Sequence, residues 1–188
     1  ILMSLSSYAK ETLILSTGEW PPYTSQKDPN ARVVQTIITE TFKLANIDVL
    51  YKYYPWKRSL RNAEDAEVDG SLPWSKTKER EEIFYYSKKA IIITRTVFFH
   101  LKSLKFHWEN YDDLKNYEIG GTIGYTDVAF LKDLGIGVQL VPREELNFKK
   151  LLKRRIDLTT SSVIVGKTFI NKLFDKKTRK LINRIKKS

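Results

Sequence analysis

Apolar positions along this chain change their period several times, and the changes mark out alternating strands and helices. Thr12-Leu13-Ile14-Leu15-Ser16-Thr17 is a short continuous run that enters a Gly18–Tyr23 turn, the pattern of a buried strand. After a polar loop from Gln26 to Ala31, the residues Val33, Val34, Ile37, Ile38, Thr41, Phe42 and Ala45 repeat at helical spacing, and Asn46 suits the helix end. Ile47–Tyr54 is β-branched and aromatic and predicts the next strand. A short helix over Trp56–Ala66 and a strand over Val68–Leu72 follow. A helix start at Thr77 runs to Phe84. Ile91–Phe99 is the most strand-like run in the chain, long and free of Gly and Pro. A second series comes next. Glu118–Asp127 reads as strand, turn and helix start running into Val128–Leu134, and Gly135–Val141 as a strand. Asn147–Arg155 is a basic amphipathic helix, Ile156–Thr160 a strand or turn, and Val163–Leu173 a helix.

Strands alternating with helices predict an α/β fold with parallel-rich sheets flanked by helices. The alternation occurs on both sides of Ile91–Phe99. The chain therefore reads as two lobes, residues 10–95 and 96–170, joined by a crossover strand, with residues 171–188 as a basic C-terminal helix or tail. Residues 1–9 are a candidate signal-peptide remnant, because Ser7-Tyr8-Ala9 resembles the small-x-small end of a secretory signal. An ordinary frayed N-terminus fits the same residues.

Composition narrows the chemistry. Charged residues at 29% and hydrophobic residues at 41% of 188 describe a globular chain able to bury a core. With no cysteine there is no disulfide framework, thiolate zinc site or cysteine nucleophile. His100 and His107 are the only imidazoles, and both neighbour apolar or aromatic residues, so no histidine metal site is expected. The net charge of +11 resembles a nucleic-acid signal until it is located. Residues 167–188 hold nine Lys/Arg against Asp175 alone, +8, and the other 166 residues carry only +3. A basic tail of this kind reads as a solvated helix face, with contact to anionic lipid or nucleic acid as the alternative. No run approaches the ~20 apolar residues of a membrane-spanning helix.

Ligands in α/β sheets bind where strands leave into helices, and three such loops carry suitable groups. The first holds Glu19, Trp20 and Tyr23, the second Pro73, Trp74, Ser75, Thr77 and Arg80, and the third Thr122, Gly124, Tyr125, Thr126 and Asp127. In the second loop a hydroxyl-capped helix start and an arginine in its first turn gather the donors that a small carboxylate needs on leaving water. A Thr77 cap beside a solvated Arg80 is also ordinary helix-start chemistry. Two further patterns are decoys. Gly166-Lys167-Thr168 imitates the end of a phosphate-binding loop, but Ser161 stands where its first glycine is required. Glu144-Glu145 reads as a helix N-terminal pair favoured by the dipole.

Taken in order, these pieces resemble family 3 of the bacterial extracellular solute-binding proteins, which serve polar amino-acid uptake on the type II periplasmic binding fold. The likeness runs over roughly residues 12–165. It rests on Pro21-Pro22-Tyr23, Asp69-Gly70 with Thr77-Lys78-Glu79-Arg80 and Ser87, the crossover near Ile91–Phe99, Asp113-Leu114, Ile119-Gly120, Gly124-Tyr125-Thr126 and Leu151–Asp157. The resemblance implies a non-enzymatic, two-lobed periplasmic binding protein, secreted through a signal peptide. It implies a monomer that captures a small carboxylated, amino-acid-like solute for an inner-membrane ABC permease or a sensor, with no cofactor and no nucleic-acid partner. Arg80 would bind the ligand carboxylate, Pro73, Ser75, Gly124 and Thr126 would assist, and aromatics at Trp20, Tyr23, Trp56 and Trp74 would enclose it. The family often carries an acid for the ligand ammonium where this chain has Ser162, with Glu19 as the candidate substitute. The family's chain also continues into a second crossover strand, so this one reads either as shortened or as a fragment. An enzyme on the same scaffold, dehydratase-like or murein-associated, is the alternative on this resemblance.

Overall fold

The computed structural model describes residues 10–185; the candidate signal remnant lies outside the described residues. Strand β1 (Glu11–Thr17) lies parallel to β2 (Ile47–Tyr53) over seven registered pairs, from Glu11 opposite Ile47 to Thr17 opposite Tyr53. Helix α1 (Val33–Leu44) crosses between them, Val34 fully buried on its inner side. Helix α2 (Trp56–Glu64) returns the chain to the two-residue strand β3 (Gly70–Ser71), which completes a parallel sheet in the order β2-β1-β3. Asp69 fixes that last register, because its carboxylate accepts the Ile14 amide at 2.7 Å while its own amide donates to the Ile14 carbonyl.

After the one-turn helix α3 (Lys78–Glu81) the chain enters the second sheet through β4 (Thr96–Leu101). There follow β5 (Ile119–Thr122), α4 (Thr126–Asp133), β6 (Val138–Val141), α5 (Glu145–Leu152), β7 (Leu158–Ser162) and α6 (Val163–Leu173). The chain then forms the short helix α7 (Lys176–Arg179) and strand β8 (Ile182–Ile185). The order is β6-β5-β7-β4-β8, with β5 parallel to β6 and β7, and β4 antiparallel to β7 and β8. Asp157 repeats the device of Asp69, its carboxylate accepting the Glu118 amide at 2.9 Å. The architecture is thus α/β with mixed, parallel-rich sheets flanked by helices.

Several local readings differ from the sequence expectation: the Thr77–Phe84 helix is confined to Lys78–Glu81 and the Val68–Leu72 strand to Gly70–Ser71. Within the Ile91–Phe99 run only the residues from Thr96 onward are strand, as the start of β4, because the ladder partner β7 ends at the Thr96–Ser162 pair and turns into α6. Ile91–Arg95 runs ahead as irregular chain, held where the Arg95 carbonyl accepts the Val163 amide. The expected basic tail contains β8, a strand on the sheet edge whose Ile182 is buried. Asp175 caps α7 through the Thr178 amide, and Arg179 donates to the Phe174 and Asn171 carbonyls at the end of α6.

Strand β4 is buried on both faces. Val97 and Phe99 belong to the larger core with Phe148, Leu151, Val165 and Phe169, and Phe98 packs on the other side with Phe106, Leu114, Ile119 and Leu131. Phe148 is fully buried between Phe99 and Phe169, with ring centroids 5.4 and 6.2 Å away. Gly166 explains the decoy motif. A Cβ there would stand 2.4 Å from the Phe99 ring, so the glycine lets α6 lie directly on β4. Replacing Phe148 by Ala should lower the unfolding free energy by about 3–5 kcal/mol. Urea denaturation followed by circular dichroism checks this, and a loss below about 1 kcal/mol would contradict the placement of Phe148 at the centre of the core.

Candidate functional site

A cavity of about 190 Å³ opens where loops from both sheets meet. The first sheet supplies its aromatic side. Gly18 ends β1 with no side chain, and a Cβ there would come within 2.5 Å of the Trp56 ring, so Trp56 lies flat on this glycine. Trp56 is 7% exposed and meets Trp74 edge-on at 5.2 Å and Tyr125 of the second sheet at 6.2 Å. Trp74 is fixed by its indole N–H, which donates to the Ser71 hydroxyl at 2.7 Å. Trp20 also lines the cavity.

Arg80 is positioned by the helix start that the sequence predicted. The Thr77 side chain accepts the Arg80 amide at 3.3 Å and caps α3. The Arg80 guanidinium stacks over Trp74 at 4.9 Å, an arrangement worth about 0.5–1 kcal/mol at exposed sites and more when desolvated. Nη1 donates to the Ser75 carbonyl at 2.9 Å and Nη2 to the Gly124 carbonyl of the second sheet at 3.2 Å. One planar cation therefore joins both sides of the cavity. Two carbonyls occupy part of a five-donor fork, and the remainder can take a carboxylate.

Gly124 adopts φ +89°, which a side chain would strain, and sits against the first turn of α2. Tyr125, Thr126 and Asp127 follow on the cavity wall, with Ser161 and Ser162 from β7. Pro73 and Ser75 line the opposite side.

Two candidate residues are not brought into the cavity. Glu19 turns toward its own loop, where its carboxylate accepts the Ser25 hydroxyl at 2.9 Å and the Gln26 amide at 2.6 Å. It is therefore not available to replace the acid missing at Ser162. Tyr23 is 6% exposed and packs under Trp20 as part of the core, centroids 4.8 Å apart. Other residues had no sequence signal. Ile92 and Thr94, from the irregular segment before β4, and Thr96, which opens β4, line the cavity.

Glu144 stands at the N-cap of α5, as the helix N-terminal reading of Glu144-Glu145 expects, and is 3% exposed behind the cavity wall. Its carboxylate accepts hydrogen bonds from the Tyr125 hydroxyl at 2.8 Å and from the Ser161 hydroxyl. Burial pushes its pKa up to about 7, against the partial relief these two donors provide. Burial likewise raises the pKa of Asp127, with Thr160 and the Val128 amide opposing that rise. Among the described residues no group of three or more His, Cys, Asp or Glu is placed to hold a metal ion.

No protein-family profile matches this sequence, and no curated protein sequence matches it either. Solved structures do. An ancestral arginine-binding protein bound to arginine superposes with a TM-score of 0.78 at 17% identity, covering 93% of this chain and 78% of that one. A histidine kinase sensor domain with similarity to periplasmic binding proteins gives 0.76 at 14% identity, over 94% and 77%. A structure from a study of glutathione import via GshT and the cystine ABC importer TcyBC of Streptococcus mutans gives 0.79 at 18% identity, over 94% and 76%. The likeness is one of fold, that of the two-lobed periplasmic binding proteins.

A buried carboxyl with a raised pKa makes stability depend on pH. Between about pH 4.5 and about pH 7 the folded protein keeps a proton on Glu144 that the unfolded chain has released, so this group's contribution falls as pH rises through that window and is flat above it. The unfolding temperature of Glu144→Gln should accordingly drop less than that of the wild type between about pH 5 and about pH 7.5. Scanning calorimetry checks this; equal drops would contradict a Glu144 that titrates near neutrality.

Proposed function

We propose that this protein is a non-enzymatic binding protein that closes two lobes, residues 10–95 and 96–170, on a small carboxylated, amino-acid-like solute. The observation that carries this reading is Arg80, whose guanidinium is stacked on Trp74 and shared between carbonyls of both sheets at the cavity mouth. In the bound state its remaining donors hold the solute carboxylate bidentately. Trp20, Trp56 and Trp74 exclude water from the rest of the solute, while Ser75, Gly124, Thr126 and Ser162 supply short polar contacts. The cavity is smaller than the ~300–1,000 Å³ typical of drug-sized ligands, which favours a compact solute. Closure is a hinge motion in the irregular segment before β4, and the closed form presents its surface to a membrane permease or a sensor in the periplasm. Support for this setting comes from fold neighbours named for arginine binding, glutathione import and histidine-kinase sensing.

A thermal-shift screen of L-arginine, L-glutamate, L-glutamine, glutathione and succinate should raise the unfolding temperature for at least one solute. Arg80→Ala should weaken that solute by about a hundredfold or more in calorimetry, the scale of a lost charged hydrogen-bond pair. Unchanged affinity in the variant would overturn the assignment of the carboxylate to Arg80. Turnover of the bound solute in a product assay would replace this reading by the enzymatic one.

A further inference from the structure

The carboxyl behind the cavity wall has two hydrogen-bond states open to it, and they differ by one proton. In the structure the Tyr125 hydroxyl donates to Glu144 Oε2 at 2.8 Å and the Ser161 hydroxyl donates to Oε1. Ser161 Oγ also lies 3.2 Å from the Ser162 carbonyl, a second acceptor for the same hydrogen. With a proton from solvent on Oε1, the acid donates to Ser161 Oγ and the Ser161 hydrogen turns to the Ser162 carbonyl. Tyr125 goes on donating to Oε2, so neither state leaves the carboxyl unpartnered. Tyr125, Ser161 and Ser162 all line the cavity, and the state of Glu144 is therefore expressed on the surface a solute touches.

No cation fixes the ionised state. Around Glu144, α4 presents Tyr125 and the acid Asp127, which disfavours a second negative charge, and β7 presents Ser161. In its own turn Arg143 reaches to Glu145 at 3.5 Å, and across the cavity Arg80 is directed to the Ser75 and Gly124 carbonyls. Glu144 forms no ion pair among the described residues. Neutral donors alone do not replace the water lost by so buried a carboxylate, and its two forms stand close to balance near neutral pH. A solute carboxylate brings further negative charge to the other side of this wall and displaces the water there. Both changes act against the ionised form.

We propose that this protein takes up a proton on Glu144 as it captures its solute, so that acidification strengthens capture. The inference rests on the solute-binding reading above and adds a second, linked ligand, the proton. The linkage is reciprocal: by whatever factor the solute favours the protonated acid, the proton favours the solute. Glu144 is a positioning residue in this scheme, because it reaches the solute only through Tyr125 and Ser161.

Calorimetric titration of L-arginine, L-glutamate, L-glutamine, glutathione and succinate at about pH 7, in phosphate and in Tris, reads the proton directly, because the two buffers differ in ionisation enthalpy. For a tenfold coupling about 0.4 of a proton is taken up per solute bound. The wild-type affinity should fall by about fivefold or more between about pH 6 and about pH 8.5. Glu144→Gln, which keeps the shape of the neutral acid, should take up no proton and bind almost equally at both pH values. Ser161→Ala removes a donor from the ionised form and should move the midpoint of the pH profile upward. A merely structural role for Glu144 would move neither readout. Equal wild-type binding enthalpies in the two buffers overturn the inference while solute binding stands, as does a Glu144→Gln variant that keeps the pH dependence. If none of the five solutes binds, the solute-binding reading fails and this inference with it.

Discussion

A guanidinium can leave water only if its donors find acceptors, and at Arg80 those acceptors come from both halves of the molecule. The Ser75 carbonyl belongs to the loop after β3 and the Gly124 carbonyl to the loop after β5, so the hydrogen-bond requirement of one side chain holds two sheets at a defined approach. The rest of the cavity follows from that constraint. Trp74 must lie under the cation, Ser71 must hold Trp74, and Gly18 must be bare so that Trp56 can reach the edge of Trp74. The two carbonyls are neutral partners for a charged fork, and they leave donors for which a carboxylate is the stronger kind of acceptor.

Carboxylates in this chain have similar sequence surroundings and different fates. Asp69 and Asp157 each stand one residue before a strand and take an amide from beside it, Ile14 within β1 and Glu118 just ahead of β5, which locks the registers of β3 and β7. Glu19 ties its own loop. Asp127 faces the cavity, and Glu144 supports Tyr125 and Ser161 from behind. What separates these roles is whether enough amide and hydroxyl donors surround the carboxylate to replace its water.

This is also why the sequence discloses some of the molecule and conceals the rest. β1, α1 and β2 are legible because each turns apolar residues toward the core at a regular period, Leu13 and Leu15, then Val34, Ile38 and Phe42, then Val49 and Tyr51. The Thr77–Arg80 loop is legible because cap and cation lie three residues apart and depend on no distant partner. Strand β8 is concealed by the lysines and arginines around Ile182, and the irregular segment before β4 by its β-branched composition; what decides it is where β7 ends. Glu144 is concealed because its partners are 17 and 19 residues away on other elements. Local periodicity reports burial, whereas a site assembled across loops is specified only when the fold closes.

The central claim is that a solute carboxylate takes the remaining donors of the Arg80 fork beside Trp74. Trp20, Trp56 and Trp74 all line the cavity, so intrinsic tryptophan fluorescence reports directly on its occupation. Titrating the wild type and Arg80→Lys with the solute found by thermal shift should give a saturable spectral change in both. The midpoint should move to higher concentration by about tenfold or more in the lysine variant, which keeps the charge and loses the fork. Identical midpoints, or a wild-type spectrum that does not respond to a solute bound in calorimetry, would contradict the account.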